Sequence, residues 1–230
     1  MSTRAPARTP RRPLPTFDPQ HRVVRVLGVF AVVYAAALVV EMLTSWHERS
    51  VYLDIVNGIE VPIAVLDGLD DDVFVVLASL MAYLALAASF AVWVIRAGRN
   101  VRSRGIKDTR EFDEARFLWF FVPVVHLYRP YRAIRELWRG SAASDPRRWH
   151  DVAVPWMFVP WWLIWLASNT FGNGALVTNY GATTTEELLL GSELDLGRII
   201  LRLLCLPLFV TVVWAIARAQ RRNRPATARR

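Results

Sequence analysis

Four long apolar stretches divide the chain, and the segments between them alternate in charge sign. The stretches are Val26–Val40, Val73–Ile95, Val152–Ala167 and Leu203–Ala217. Residues 1–25 hold six Arg against Asp18, whereas residues 41–72 hold Glu41, Glu48, Asp54, Glu60, Asp67, Asp70, Asp71 and Asp72 against Arg49. Residues 96–151 then carry thirteen Arg or Lys against seven acids. Residues 169–197 carry Glu186, Glu187, Glu193 and Asp195 with no base, and residues 218–230 carry six Arg with no acid. Cationic loops stay on the cytoplasmic side of a membrane, so this order predicts four spans with both termini in the cytoplasm. The expected compartment is the cell (plasma) membrane.

The composition agrees with that reading. The chain is 54% hydrophobic over 230 residues, with a net charge of +8. Taken globally, such a charge suggests nucleic acid. Its segregation into alternate loops assigns it instead to anionic lipid, and no nucleic-acid partner is expected. The single Cys205 cannot form an internal disulfide and belongs to no metal pattern.

The expected fold is all-α: a polytopic bundle of four transmembrane helices plus a short re-entrant or interfacial amphipathic segment. Residues 1–20, rich in Arg and Pro, read as a disordered basic cytoplasmic tail. The four-span domain covers 21–218, with spans at about 24–45, 73–95, 152–170 and 199–217, and residues 219–230 form a second basic tail. Ala35-Ala36-Ala37 resembles a small-residue cleavage site. The apolar run continues through Leu38, Val39 and Val40, however, which predicts a retained span.

The second span carries Ala78, Ala82, Ala85 and Ser89 at helical spacing, a stripe that lets another helix approach closely. Asp70-Asp71-Asp72 precedes it and suits a helix N-terminus better than a metal site. In the third span, Pro155 and Pro160 predict a kink, and Trp156, Trp161, Trp162 and Trp165 suit a membrane belt or packing more than a ligand pocket. Asn169–Gly197, with Gly172, Asn173, Gly174, Asn179 and Gly181, reads as a loop. Arg202 is the base expected to approach the hydrocarbon, by snorkelling outward or by pairing with Glu41 or Asp72.

Residues 117–139 form the interfacial segment. Phe117–Tyr128 is too short to cross, and Pro123 and Pro130 bracket its end. Tyr131–Arg139 follows as a short amphipathic helix. Tyr131, Ile134 and Trp138 share one face, and Arg132, Arg135 and Arg139 share another. These three arginines are the candidate contacts for lipid headgroups; Pro123, His126, Pro130 and Trp138 are the candidate structural motif.

The run from Phe120 to Arg139, with Pro123, Pro130 and Glu136-Leu137-Trp138 at fixed offsets, resembles the signature of a bacterial membrane family known as domain of unknown function 4328, common in actinobacteria. Trp93–Asn100 resembles that family's span end followed by a basic loop, and Trp161–Trp165 its Trp-rich third span. The resemblance covers roughly residues 73–218. The family usually has Asn where this chain has His126, which can replace part of an amide's hydrogen bonding but also titrates. The resemblance implies a fold and a compartment, and no established activity.

No zincin pair, Walker loop, nucleophile elbow or dinucleotide fingerprint occurs in the sequence. No catalytic residue, metal or cofactor is therefore assigned. The leading expectation is a non-enzymatic membrane protein that binds lipid, another membrane protein or its own copy through the basic and aromatic element. The alternatives are a small transporter or channel component, and a lipid-modifying enzyme built around His126, Glu136 and His150.

Overall fold

Apolar periods of this length dictate helices, because a backbone in hydrocarbon must satisfy its own hydrogen bonds. The computed structural model describes residues 17–69, 73–106 and 127–224, and among them it contains helices and no strand. Helix α1 spans His21–Val56, α2 Ile63–Leu69, α3 Val73–Ser103, α4 Arg129–Ala142, α5 Phe158–Gly181 and α6 Thr185–Arg222. A short 3-10 turn at Pro146–Asp151 separates α4 from α5. Pro123, His126, the acidic triplet Asp70-Asp71-Asp72 and residues 117–126 of the expected interfacial segment lie outside the described residues.

Helices α1, α3 and α6 are long and apolar enough to cross a membrane. They contain 36, 31 and 38 residues. Each is thus longer than the roughly 20 residues a bilayer core requires. Their outward faces are apolar too: Val32 is 70% exposed and Phe74 72%. In water such a surface would aggregate; it is consistent with a membrane protein. Helix α5 has 24 residues but is interrupted by Asn169, Asn173 and Asn179, and it does not reach the hydropathy of the other three.

Helix boundaries differ from the sequence expectation in three places. First, α1 runs on to Val56, about eleven residues past the expected end of the first span near residue 45, and stops at Asn57-Gly58, where Gly58 takes a left-handed φ of 78°. Second, the two prolines do not kink the third apolar stretch. Pro155 precedes α5, and Pro160 falls in its first turn, where no intrahelical N–H bond is owed.

Third, the expected loop Asn169–Gly197 is helical apart from Ala182–Thr184. Thr184 and Glu187 form a capping box that starts α6, with the Glu187 N–H donating to Thr184 Oγ1 at 3.3 Å. The glycines read as turn formers let α5 and α6 close on each other. A Cβ on Gly197 would lie 2.6 Å from the Phe171 ring, and one on Gly172 would lie 2.8 Å from Arg198 Cδ. The α5–α6 hairpin thus depends on small residues at the crossing.

Helix α6 is the centre of the bundle. Both α1 and α5 pack along it, α3 packs on α1, and α4 lies against the ends of α3 and α6. Leu38, Trp93, Phe158, Ile199, Val212, Val213 and Ile216 are buried between them. By contrast α3 and α5 make little contact with each other, and a groove opens between them with α6 as its floor.

At the Arg-rich end a polar network locks four chain segments. Asn100 on α3 receives the Asp18 N–H at 2.8 Å and donates to the Asp18 carbonyl and to Gln220 Oε1. Gln220 on α6 donates to the Ala97 carbonyl and to Ser141 Oγ on α4. Residues 17–20, expected in the tail, are thereby placed against the bundle. Arg104 donates to the carbonyls of Gly140, Ser141 and Ala143, which closes the C-terminus of α4. Burial pulls the Arg104 guanidinium below its ordinary pKa, and the three carbonyl acceptors offset that desolvation. Replacing Arg104 with Ala should destabilise the bundle by about 2 kcal/mol, since three bonds from a charged donor to helix-end carbonyls are lost. Thermal unfolding in detergent checks this, with Arg104→Lys expected to lie between the two.

Candidate functional site

Two arginines one turn apart on α6 meet very different partners. Arg198 is 8% exposed and Glu41 on α1 only 4%. Arg198 Nη2 pairs with Glu41 Oε1, while its Nε donates to Asp195 Oδ1 at 2.6 Å and its Nη2 to Asp195 Oδ2 at 3.1 Å. Ser45 Oγ on α1 adds a bond to Asp195 at 3.2 Å, and Arg49 pairs with Glu193 at 2.9 Å nearer the surface. Thus α1 and α6 are riveted by a buried ionic cluster. It survives because Arg198 is hydrogen-bonded to both carboxylates, although Glu41 Oε2 has no hydrogen-bond partner among the described residues.

Arg202 does not reach Glu41. Glu41 is taken by Arg198, which faces α1 at that level, and Asp72 lies outside the described residues. Arg202 Nη1 donates instead to the Tyr34 hydroxyl at 3.0 Å, and its guanidinium lies 5.3 Å from the centre of the Tyr83 ring. The two tyrosine rings are 5.6 Å apart, so α1 and α3 jointly hold the side chain. Among the described residues no carboxylate forms an ion pair with Arg202.

Arg202 stands at one end of the groove between α3 and α5. The groove has a volume of about 470 Å³, within the range of roughly 300–1,000 Å³ common for ligand sites. Phe90 and Phe209 meet edge to face at 5.1 Å, and Trp161 lies 6.4 Å from Phe209. Trp162 and Trp165 stack at 4.7 Å beside them. Trp156 remains 79% exposed and takes no part. Trp161, Trp162 and Trp165, expected to pack or to anchor more than to form a pocket, therefore also line a cavity.

The basic α4 element has a different geometry. Its buried side is formed by Pro130, Ala133, Ile134, Leu137, Gly140 and Ser141, which seat it on α3 and α6. Pro130 and Ile134 also form the far end of the groove. Tyr131 and Trp138 flank the buried side: Tyr131 stacks towards Trp162, and Trp138 meets Phe158 edge-on and donates to the Ala153 carbonyl at 2.9 Å. Of the three arginines singled out from the sequence, Arg139 spends its Nε on the Val152 carbonyl at 3.1 Å. Arg132, exposed, lies over Tyr128, and Arg135, half-buried, lies over Tyr131. Glu136 is not free, and His150 stacks on Trp149 at 3.7 Å.

Sequence reasoning passed over Tyr34, Tyr83, Asn100 and Gln220. For Tyr34 and Tyr83 the available signal was a lone polar group inside an otherwise apolar helical run, which is kept only when something receives it; Asn100 and Gln220 stand among arginines, where no such contrast marks them.

Replacing Arg198 with Leu should cost about 3–5 kcal/mol, because Glu41 and Asp195 are left as uncompensated buried carboxylates. The Glu41→Leu, Arg198→Leu pair should recover part of that loss. Denaturant unfolding in mixed micelles measures both.

Comparison with known proteins supplies a family and nothing nearer. No curated protein and no solved structure matches the chain. The family model described as Domain of unknown function (DUF4328) matches residues 70–221, from the start of α3 to the end of α6. That match covers most of the chain, and the protein belongs to this family.

Proposed function

We propose that this is a non-enzymatic, four-span protein of the cell membrane, with both termini cytoplasmic. In this reading it binds anionic lipid or a membrane-protein partner through α4. The carrying observation is that α4 is anchored by its own buried side and leaves Arg132 exposed over Tyr128 and Arg135 half-exposed over Tyr131, neither among its buried residues. A helix placed this way at the end of a bundle brings two cations and two aromatic rings to headgroup level, where each cation contributes about 1 kcal/mol on an anionic surface.

The Arg clusters of α3 (Arg96, Arg99, Arg102) and α6 (Arg218, Arg221, Arg222) lie at the same end as α4. The acids Glu193, Asp195 and Glu41 lie at the other. That separation supports an inner leaflet on the α4 side. Helix α5 serves as the fourth span, with its asparagines facing protein or interface.

A second reading, a component of a small transporter or channel, has one observation in its favour: the Glu41–Arg198–Asp195 cluster places ionisable groups among helices of spanning length. Ion flux in proteoliposomes is its check; no flux above that of empty vesicles removes it.

Two measurements test the main reading. In a Cys205→Ser background, cysteines introduced as Asn57→Cys and Ala182→Cys should react with an impermeant label in intact cells, and Ser144→Cys should react only after the membrane is opened. Separately, Arg132→Gln with Arg135→Gln should weaken retention of labelled phosphatidylglycerol by roughly thirtyfold, from about 1 kcal/mol per arginine. Arg139→Gln alone should change it little, because that side chain is committed to Val152. Equal retention by the double variant and the parent would remove the lipid role of α4.

A further inference from the structure

The groove has a polar end and an apolar remainder, and the helix register shows it. Along α6, Arg202 and Phe209 are seven residues apart, which is about 10 Å. On α3, Tyr83 lies against Arg202 and Phe90 against Phe209. On α5, which runs the other way, Trp161 lies at the Phe209 level and Asn169 is two turns back towards Arg202. One end of the cavity thus collects a guanidinium, two phenols and the Asn169 amide. The other end is closed by aromatic rings, Pro130 and Ile134.

Among the described residues no acidic side chain pairs with Arg202 at the polar end. Arg198, one turn away, is neutralised twice over. Arg202 receives only a neutral phenol oxygen and a ring face. Tyr34 is itself 3% exposed. Its bond holds the guanidinium against the bundle and opposes escape along the helix to the headgroups. An Arg kept among apolar walls without a counter-charge is unfavourable, and an anion in the groove would relieve that cost. Nη1 is committed to Tyr34, which leaves the Nε–Nη2 edge of the fork for a planar, two-oxygen acceptor. The Asn169 side-chain amide has no hydrogen bond among the described residues and lines the same cavity.

We propose that the groove binds a long-chain fatty acid, with its carboxylate on Arg202 and its acyl chain along Phe90, Trp161, Trp165 and Phe209. A carboxylate is the acceptor that the free edge of the guanidinium matches. The position favours a small head over a glycerophosphate, since Arg202 sits about 6 Å further along α6 than Arg198, towards the middle of the helix. The single cavity suits one chain rather than two. The site is separate from the outward face of α4 and does not depend on which way the bundle is inserted.

The full-length protein in a mild non-ionic detergent, titrated with dibromostearic acid, tests this through quenching of tryptophan fluorescence. Quenching should saturate. Arg202→Gln should weaken the apparent affinity about tenfold or more, the scale of one charge-assisted contact, and Arg202→Lys, which keeps the charge but loses the two-point fork, should fall between the two. Dibromostearyl alcohol, with the same chain and no charge, should bind the unaltered protein about tenfold more weakly than the acid. Equal affinity for acid and alcohol, unchanged acid binding in Arg202→Gln, or tighter binding of a brominated phosphatidylglycerol than of the acid would each overturn the proposal. If Arg202→Gln fails to fold, the acid-to-alcohol comparison on the unaltered chain decides alone. A negative result here leaves the α4 reading standing, because that reading is measured by phosphatidylglycerol retention in Arg132 and Arg135 variants.

Discussion

The guanidinium of Arg198 is the joint on which the bundle turns. It ties α1 to α6 through Glu41 and ties α6 to itself through Asp195. Gly172 leaves room for it on α5, since a Cβ there would collide with its aliphatic stem. Three helices therefore converge on one side chain. Apolar helices in lipid gain little from the hydrophobic effect alone, because the solvent is as apolar as the side chains. Specific register then comes from close packing at small residues and from polar groups that have only one place to go.

The opposite end obeys the same rule with uncharged groups. Asn100, Gln220 and Ser141 are almost fully buried, and their bonds run between α3, α6, α4 and the chain before α1. Asn223 adds two bonds to the carbonyls at the end of α4. The bundle is thus clamped at both ends by polar networks and packed in between by apolar side chains. That arrangement explains why a groove can persist between α3 and α5: the helices on either side are held through α1 and α6, so direct contact between them is not required.

Much of the architecture was legible in one dimension. Val73–Ile95 announces α3, and the basic clusters after it announce which end of the helix they occupy. The match to the DUF4328 model agrees with the motif around Pro130 and Trp138 and with the Trp-rich stretch. What failed was the reading of glycine and asparagine. Gly172, Gly174 and Asn179 have the composition of a loop, yet they lie on a helix. Local propensity disfavours glycine in a helix by only about 1 kcal/mol per residue, and a close helix crossing outweighs that. The prolines misled for a related reason: Pro160 breaks a helix interior but is harmless in a first turn.

Hydrophobic periodicity and charge counts are enough to establish helices with apolar outer faces and alternately charged ends, because neither depends on a partner elsewhere in the chain. Packing settles that Glu41 goes to Arg198 and leaves Arg202 to two tyrosines, that Arg139 is spent on a backbone carbonyl while Arg132 and Arg135 lie over tyrosine rings, and that three of the tryptophans line a cavity. Those outcomes depend on which of several chemically suitable partners lies within about 3 Å once the helices have packed, and hydrogen-bond reach is a property of the assembled bundle rather than of any one segment.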